Sequence, residues 1–316
     1  MKIQVDILMA VYNGEKYLEE QLASIAEQTY QDWHLIIRDD ASTDKSMQII
    51  KAFRDKYPEG KVEVYKNEPA SGSAKNNFCK LIQDAKAEYV MFCDQDDVWI
   101  SDKIEQTLKQ MRRQEIKNGS KQVPVLVHSD LYVVDEHLNI ISDSMQKYQK
   151  LPKTSSIQRL LIQNHVTGCT MMVNRSLMDY LKRAEDTTAM VMHDYWAALI
   201  AMVFGTIVFI PRPMIKYRQH GDNSVGAMNA AGIKYLYIRF KAGRKQFRER
   251  TEATMLQARA FCKVYEYELS KNPYKDLIKA YSELTETTKM HKIEFYISKH
   301  VTKYGIIRKI MQFIWS

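Results

Sequence analysis

The chain has 316 residues, of which 45% are hydrophobic and 10% aromatic, a composition that can build a core and excludes global disorder. Its formal net charge is +8, and the excess lies at the end: residues 227–316 carry 18 Lys and Arg against 8 Asp and Glu, whereas residues 1–226 carry 28 against 30. The longest apolar run, Ala197 to Ile210, is shorter than the roughly 20 residues of a membrane-spanning helix, and Gly205 interrupts it. The sequence therefore predicts a near-neutral body and a basic C-terminal region.

The N-terminus and the cysteines indicate a cytoplasmic protein. Asp6 stands where a secretion signal would need an apolar stretch. The four cysteines, Cys79, Cys93, Cys169 and Cys262, show no CxxC spacing, so neither structural zinc nor a disulfide framework is expected. A reducing compartment fits both observations.

Strands and helices alternate along the first half of the chain. Apolar runs predict strands at 3–11, 33–38, 62–65, 89–93 and 123–127, and helical spacing predicts helices at 18–25, 47–53, 74–85 and 103–113. This alternation predicts an α/β fold with a mostly parallel central sheet and helices on both faces. Neither GxGxxG nor GxxxxGK[ST] occurs, which disfavours dinucleotide-binding Rossmann enzymes and P-loop NTPases.

Polar clusters follow three of the predicted strands: Tyr12-Asn13, Asp39-Asp40 and Asp94-Gln95-Asp96-Asp97. Because ligands of such sheets bind outside the carboxyl ends of the strands, we expect these clusters to converge on one rim.

The densest cluster places three carboxylates in four residues, at Asp94, Asp96 and Asp97. Carboxylates this close repel one another unless they share a cation, and their hard oxygens suit Mg²⁺ or Mn²⁺. The alternative is a solvated turn that caps the next helix. The preceding strand and the following Trp99 favour the metal site, because they hold the cluster at the ligand rim.

Three segments, AVYNG at 10–14, RDDASTD at 38–44 and FCDQDDVW at 92–99, resemble in order and spacing the nucleotide-sugar half of family 2 glycosyltransferases with the GT-A fold. The resemblance implies that Asp40 binds the base, that Tyr12 and Asn13 line its pocket, and that Asp94 faces the ribose. It makes Asp96 a direct metal ligand. Lys75, in the GSAKNN loop at 72–77, would meet base or phosphate, although an ordinary surface lysine is an equal alternative.

The second half supplies the remaining implied roles. Asp194 lies ninety-eight residues after Asp96 at the start of a helical stretch, where the family carries its catalytic base, although an acid at a helix start is also a common N-cap. His193 would orient it or be inert. In the YRQHGDNS segment at 217–224, His220 would complete the metal shell and Arg218 would contact phosphate.

Further side chains are expected to contact the acceptor. The resemblance extends to the segment 168–171 as the acceptor-side strand and to 128–130 as the mid-domain rim. The predicted acceptor contacts are Asp97, Trp99, His128, Asp130 and His193.

The motifs CDQDDVW, HDYWAALIA and YRQHGDNSVG together resemble bacterial rhamnosyltransferases of cell-surface polysaccharide synthesis. This implies a dTDP-L-rhamnose donor and a lipid-linked saccharide acceptor; a UDP-sugar donor and a non-catalytic nucleotide-sugar-binding protein remain alternatives. The expected domains are a GT-A catalytic domain at 1–226, with a nucleotide-sugar half at 1–110 and an acceptor half at 111–226, and a basic helical region at 227–316.

The basic region interleaves aromatic and cationic residues and ends in an amphipathic segment, 303–315. This pattern is typical of peripheral binding to the inner face of the cell membrane. Packing on the catalytic domain or on a second copy in a homodimer is the alternative. Nucleic acid is not expected as a partner, because no recognised nucleic-acid-binding motif accompanies the basic residues.

Overall fold

The computed structural model describes residues 4–152, 154–221 and 233–316, with the side chains from 243 onward in the last range. One sheet runs through the described chain in the order β3-β2-β1-β4-β8-β6-β9-β5, and β7 pairs with β6. The strands are β1 (Val5–Val11), β2 (Trp33–Asp39), β3 (Val62–Lys66), β4 (Tyr89–Cys93), β5 (Val98–Trp99), β6 (Val125–Val134), β7 (Ile140–Ser142), β8 (Met171–Asn174) and β9 (Thr206–Arg218).

Helices cover the sheet and form the C-terminal region. They are α1 (Leu18–Ala26), α2 (Ser46–Arg54), α3 (Ala74–Asp84), α4 (Lys103–Asn118), α5 (Met145–Tyr148), α6 (Ile157–Leu160), α7 (Arg175–Lys182), α8 (His193–Phe204), α9 (Ile233–Val264), α10 (Glu266–Leu269), α11 (Lys275–Glu283), α12 (Lys289–Ser298) and α13 (Ile306–Trp315). Helix α9 is broken at Gly243, where φ is 75°.

The predicted alternation of strands and helices is confirmed, with boundaries shifted by a few residues. The first strand starts at Val5, and Ile3 lies outside the described residues. Strands β3, β2, β1 and β4 pair in parallel, while β8 runs antiparallel to both β4 and β6. Because β6 and β9 are parallel, six of the nine described strands share one direction, which agrees with the expected mostly parallel sheet.

Two hydrophobic clusters lie on opposite faces of the sheet, because side chains of a buried strand alternate between its faces. In β1, Leu8 belongs to one cluster, and Ile7 and Met9 belong to the other. Helix α8 packs against the first cluster and ends at Gly205, where a Cβ would lie 1.8 Å from the Pro124 carbonyl oxygen. The glycine that interrupts the apolar run in the sequence is therefore required at a close approach of two backbones.

The C-terminal helices share a core with α8. Trp196 of α8 donates a hydrogen bond from Nε1 to the hydroxyl of Tyr265 at 3.0 Å, and its ring packs edge-on against Phe261 at 5.4 Å. Further apolar residues of α11 and α12 complete this core. The predicted boundary at 226/227 lies outside the described residues, and the division into domains stays a prediction.

Among the described helices, none combines the length and the apolar character that crossing a bilayer requires.

Candidate active site

The ends of β1, β2 and β4 form one rim, as predicted. In the sheet register Val11 lies beside Asp39, and Met9 lies beside Cys93. The backbone N–H of Asp40 also donates to the carbonyl of Val11 at 2.8 Å. The three polar clusters that follow these strands are therefore neighbours in space.

The Gln95 side chain joins two of these strand ends. Its Oε1 accepts from the backbone N–H of Tyr12 at 2.7 Å, and its Nε2 donates to the Tyr12 carbonyl at 2.9 Å. Gly14 makes room for it, because a Cβ there would lie 2.7 Å from Gln95 Oε1. These two hydrogen bonds fix the backbone of Tyr12, and the residue is 57% exposed. Its ring is therefore available as a stacking surface for a planar ligand.

Asp40 and Asn13 lie on the β1–β2 side of the rim. The Asp40 carboxylate accepts from the side chain of Asn67 at 2.7 Å and from the backbone N–H of Ser71 at 2.5 Å. Burial raises the pKa of Asp40, but these hydrogen bonds outweigh it and hold the pKa below its ordinary value. The Asn13 carboxamide accepts from the backbone of Thr43 at 2.9 Å, which ties the end of β1 to the turn after β2.

The acidic cluster at the end of β4 is strongly coupled. Asp97 is fully buried, and one of its oxygens accepts from the backbone N–H of Arg218 at 3.2 Å. Burial, together with the charges of Asp96 and Asp94, raises the pKa of Asp97 well above its ordinary value. Burial and the charges of Asp96 and Asp194 likewise raise the pKa of Asp94. The buried carboxylates therefore repel one another and bind protons more readily than isolated carboxylates do.

The donors of this cluster fit a hard divalent cation. His220 Nε2 and Asp96 Oδ2 share a hydrogen bond of 2.8 Å, so the two predicted ligands converge. Ligand atoms of Asp94, Asp97 and Cys169 also lie within 4.8 Å of one another. Burial raises the pKa of the Cys169 thiol far above its ordinary value, which keeps the sulfur neutral and a poor ligand. The carboxylates are therefore the groups best suited to Mg²⁺ or Mn²⁺, and the imidazole of His220 is a weaker ligand for such hard cations.

Arg218 is buried, and protein groups surround its guanidinium. Its Nε donates to the carbonyl of Asp96 at 2.9 Å, a terminal nitrogen donates to the carbonyl of Glu136 at 2.6 Å, and the other pairs with the Glu20 carboxylate. The structure does not support the predicted direct contact with phosphate, because the guanidinium already bridges α1, the β4–β5 loop and the end of β6. Arg218 instead positions the segment that carries His220.

Asp194 opens α8 and faces the acidic cluster across the rim. Its Oδ2 accepts from the backbone N–H of Gly168 at 3.0 Å, and its Oδ1 accepts from the side chain of Asn164 at 3.1 Å. Burial raises the pKa of Asp194 to about 7, although hydrogen bonds from Tyr195 and Gly168 lower it in part. A carboxylate with this pKa is suited to accept a proton near neutral pH.

His193 lies beneath Asp194 in the core. Its ring stacks between Phe78 and Phe92, with centroids 4.1 and 5.1 Å away. Within the described chain neither ring nitrogen has a hydrogen-bond partner, and burial lowers the pKa of His193 to about 3. A Cβ on Gly168 would lie 2.9 Å from His193 Nε2, so the neutral ring fills the space that this glycine leaves. His193 supports the start of α8 by packing.

The other predicted acceptor contacts are also buried. Trp99 is 3% exposed, and the ammonium of Lys103 lies 3.6 Å from its ring centroid. Asp130 accepts from Ser144 at 2.5 Å and stabilises the chain turn after β6. The structure does not support saccharide contacts by Trp99 or Asp130, because their side chains already serve internal packing and hydrogen bonding.

His128 lines a small cavity of about 20 Å³ together with Asp130, His165 and Phe209. Burial and the neighbouring His165 lower the pKa of His128 to about 3, so the ring is neutral. The cavity has room for about one water molecule rather than a sugar ring. The predicted acceptor contact of His128 is therefore not supported, and neither is that of the buried Asp97.

Lys75 has a different role from the predicted one. Its ammonium donates to the carbonyls of Thr187 at 3.1 Å and Met190 at 3.0 Å, which anchors the loop before α8 to the start of α3. The lysine lies beside the rim, but these contacts favour a positioning role over a direct contact with base or phosphate.

Several residues of the site escaped the sequence analysis. Gln95 could have been found, since it stands inside the acidic motif. Asn164 and Gly168 hold the carboxylate of Asp194. No pattern pointed to Asn164, whereas Gly168 stood in the segment 168–171 that was expected to be a strand; residues Gly168–Thr170 instead form a 3-10 turn, and the strand begins at Met171. Lys103 is fully buried near Asp97, and burial lowers its pKa to about 8; the sequence shows only an ordinary helix start.

Solved structures share the fold. The chain resembles Staphylococcus aureus TarS 1–349 in complex with UDP-GlcNAc, with a TM-score of 0.51, 15% identity and coverage of 99% of this chain and 79% of that one. It also resembles the mannosyltransferase PcManGT from Pyrobaculum calidifontis in complex with GDP-Man and Mn²⁺, with a TM-score of 0.50, 15% identity and coverage of 92% and 72%. These likenesses confirm the expected GT-A architecture.

Sequence relatives point the same way. The chain is 28% identical over 247 residues to the dTDP-rhamnosyl transferase RfbG of Shigella flexneri. The aligned stretch covers 72% of this chain and 76% of RfbG. It is 32% identical over 114 residues to the Escherichia coli UDP-Glc:alpha-D-GlcNAc-diphosphoundecaprenol beta-1,3-glucosyltransferase WfgD, covering 35% and 42%. The pattern of Glycosyl transferase family 2 matches residues 6–181, more than half of the sequence. Because this match covers more than half of the sequence, the chain belongs to glycosyl transferase family 2.

Proposed function

We propose that the protein is an inverting glycosyltransferase that moves L-rhamnose from dTDP-L-rhamnose onto a lipid-linked saccharide in the synthesis of a cell-wall or surface polysaccharide. One observation carries the reaction class: the carboxylate of Asp194 accepts from the backbone N–H of Gly168 at 3.0 Å, and the thiol of the next residue, Cys169, lies within 4.8 Å of carboxylate oxygens of Asp94 and Asp97. A candidate base and a candidate diphosphate site thus face each other across one rim.

In the proposed reaction Asp194 accepts the proton of the acceptor hydroxyl. The oxygen forms a bond to the anomeric carbon as the bond from that carbon to the diphosphate oxygen breaks, and the nucleoside diphosphate leaves with the bonding electrons. The contacts from Gly168 and Asn164 hold the carboxylate in place for this step. Asp96 and His220 would hold Mg²⁺ or Mn²⁺, which supplies Lewis-acid stabilisation of the leaving diphosphate.

The donor would lie along the β1–β2 and β4 ends. Tyr12 has an exposed ring that would stack on the base, Asp40 and Asn13 would line the same pocket, and Asp94 would face the ribose. Rhamnose is favoured because RfbG, which matches over most of the chain, is named a dTDP-rhamnosyl transferase. A lipid-linked acceptor is favoured by WfgD, whose name includes a diphosphoundecaprenol saccharide. Such an acceptor places the enzyme at the inner face of the cell membrane.

A panel of nucleotide sugars tests the donor. Purified protein with Mn²⁺ or Mg²⁺ should be stabilised against thermal unfolding by dTDP-rhamnose more than by UDP-glucose or UDP-GlcNAc, because binding to the folded state raises the unfolding temperature. Release of nucleoside diphosphate with an extracted lipid-linked acceptor would confirm transfer. A clear preference for a UDP-hexose would replace rhamnose, and binding without release would identify a non-catalytic binding protein.

The pH profile tests the base. Since burial raises the pKa of Asp194 to about 7, kcat/KM should fall by about tenfold per pH unit below that value and level off above it, because the base must be deprotonated. Initial rates at saturating metal, measured from about pH 5 to about pH 9, give this fall of kcat/KM at low pH. Donor binding followed over the same range separates this effect from titration of the metal site. A rate that stays flat while binding is constant would contradict the assignment.

A further inference from the structure

The last helix exposes an apolar stripe. Ile306, Ile310 and Ile314 recur every four residues of α13 and are 80%, 51% and 58% exposed. Residues four apart lie on one face of a helix, so the three side chains form a continuous stripe. A helix face that merely meets water carries polar residues, whereas a contiguous exposed apolar stripe marks an interaction surface.

The orientation of this stripe is fixed by the fold. The opposite face of α13 is anchored by Gln312, which accepts from the backbone N–H of Lys303 at 2.8 Å and donates to the carbonyl of Val301 at 2.9 Å. Lys289 donates to the Ile314 carbonyl at 2.7 Å, and Arg248 donates to the Trp315 carbonyl at 3.1 Å. The helix is therefore held by the protein itself, and the isoleucines point outward from a formed scaffold.

The charged residues in the segment that contains the stripe are mostly basic. Residues 289–316 contain six Lys and Arg and one acidic residue, Glu294. Lys309 is exposed beside the stripe, and Lys289 and Lys299 are exposed on the neighbouring α12 and directly after it. Apolar side chains within a basic surround match the interface of an anionic bilayer, in which hydrocarbon lies below negatively charged head groups.

The base of this helix is tied to the segment that holds the candidate catalytic base. The backbone N–H of Tyr304 donates to the side chain of Gln163 at 3.0 Å, and Arg308 donates to the carbonyl of Gln149 at 3.1 Å. The residue after Gln163 is Asn164, which donates to Asp194. A surface docked through α13 would thus lie near the segment that holds the Asp194 carboxylate.

We propose that the stripe of Ile306, Ile310 and Ile314, together with the basic residues around it, docks the enzyme on an anionic membrane surface. The choice of a bilayer as partner rests on the lipid-linked acceptor of the proposed function. Docking would bring the segment that holds Asp194 close to the plane that contains the lipid-linked acceptor, and the basic residues would contact the head groups.

Vesicle co-sedimentation tests the docking directly. The full-length protein should bind vesicles of phosphatidylcholine and phosphatidylglycerol, and bind vesicles of phosphatidylcholine alone more weakly. Replacing Ile306, Ile310 and Ile314 together by Ser should weaken binding at least about tenfold. The chain offers a matched control, since Ile116, Ile140 and Ile141 are 81%, 58% and 49% exposed on α4 and β7. The same three Ile→Ser changes there should leave vesicle binding unchanged.

The outcomes separate the docking from the chemistry. The proposal is wrong if the wild-type protein does not bind anionic vesicles, or if the α13 variant binds them as well as the wild type does. A wild-type dimer that the α13 substitutions convert to a monomer, without vesicle binding, would assign the stripe to a second copy instead. Nucleotide release with an acceptor dispersed in detergent should be unaffected by the α13 substitutions. Its absence in the wild type would count against the proposed reaction and leave the vesicle result standing.

Discussion

Replacement of Asp194 by Asn should lower kcat by about 10²–10⁴-fold, the range that a general base contributes, while the affinity for the nucleotide-sugar donor stays nearly unchanged. The reason is local: the carboxylate is held by Gly168 and Asn164 on the acceptor side and is not among the groups proposed to bind the nucleotide. Steady-state release of nucleoside diphosphate measures the rate, and calorimetric titration with donor measures the affinity.

Two controls guard this prediction against a misfolded variant. Asp186→Asn alters an exposed carboxylate in the loop before α8 and should leave the rate unchanged. Thermal unfolding of Asp194→Asn should stay close to that of the wild type above about pH 7, because removal of a buried ionised carboxylate offsets the loss of one of its two hydrogen bonds. Full turnover by Asp194→Asn, or by Asp194→Ala, would remove Asp194 as the base.

Loss of the divalent cation should have an effect of similar size. Chelation, or Asp96→Ala, should reduce the rate by about 10²–10³-fold, since an electrostatic stabiliser of the leaving group is removed. His220→Ala should cost less, because the carboxylates of the cluster would remain. Unlike Asp194→Asn, the Asp96 variant should also lose the dependence of donor affinity on Mn²⁺ or Mg²⁺.

Titration calorimetry with donor, in the presence and absence of the cation, gives this second readout. Asp135→Ala provides the comparison, because Asp135 is half-buried in the turn after β6 and its carboxylate accepts only from His137 and Asn139 of that turn among its described hydrogen bonds. Unchanged turnover after chelation, with the cation shown to be removed, would contradict the metal assignment.

The parts of the fold that could be predicted depend on local pattern. Strands β1, β2, β3 and β4 are short apolar runs bounded by turns, and the helices between them repeat their apolar residues at helical spacing. The acidic cluster was predictable because Asp94, Asp96 and Asp97 lie within four residues and follow a buried strand. Strand β8 is less apparent, since four residues after an irregular segment become a strand only by pairing between β4 and β6.

The role of a long side chain was harder to predict than its location. Arg218 follows the motif of the family, but its guanidinium pairs with Glu20, which is 198 residues away in the chain. Lys75 likewise meets carbonyls more than one hundred residues further on. Tertiary packing determines such partners, and they do not occur among the sequence neighbours of Arg218 or Lys75. The same holds for Asn164, whose importance arises only once α8 brings Asp194 beside it.

The hydrogen bond and ring contact of Trp196 with Tyr265 and Phe261 have a consequence for how this enzyme can vary in evolution or be recombined. The helix that carries Asp194 on its first turn uses its remaining turns to pack against the basic region. If the C-terminal region were exchanged between relatives, the incoming region would need to pack against the Trp196 indole of α8. Otherwise α8 would have to be exchanged together with it. We therefore expect α8 and the C-terminal region to be inherited together, because one layer of aromatic side chains joins them.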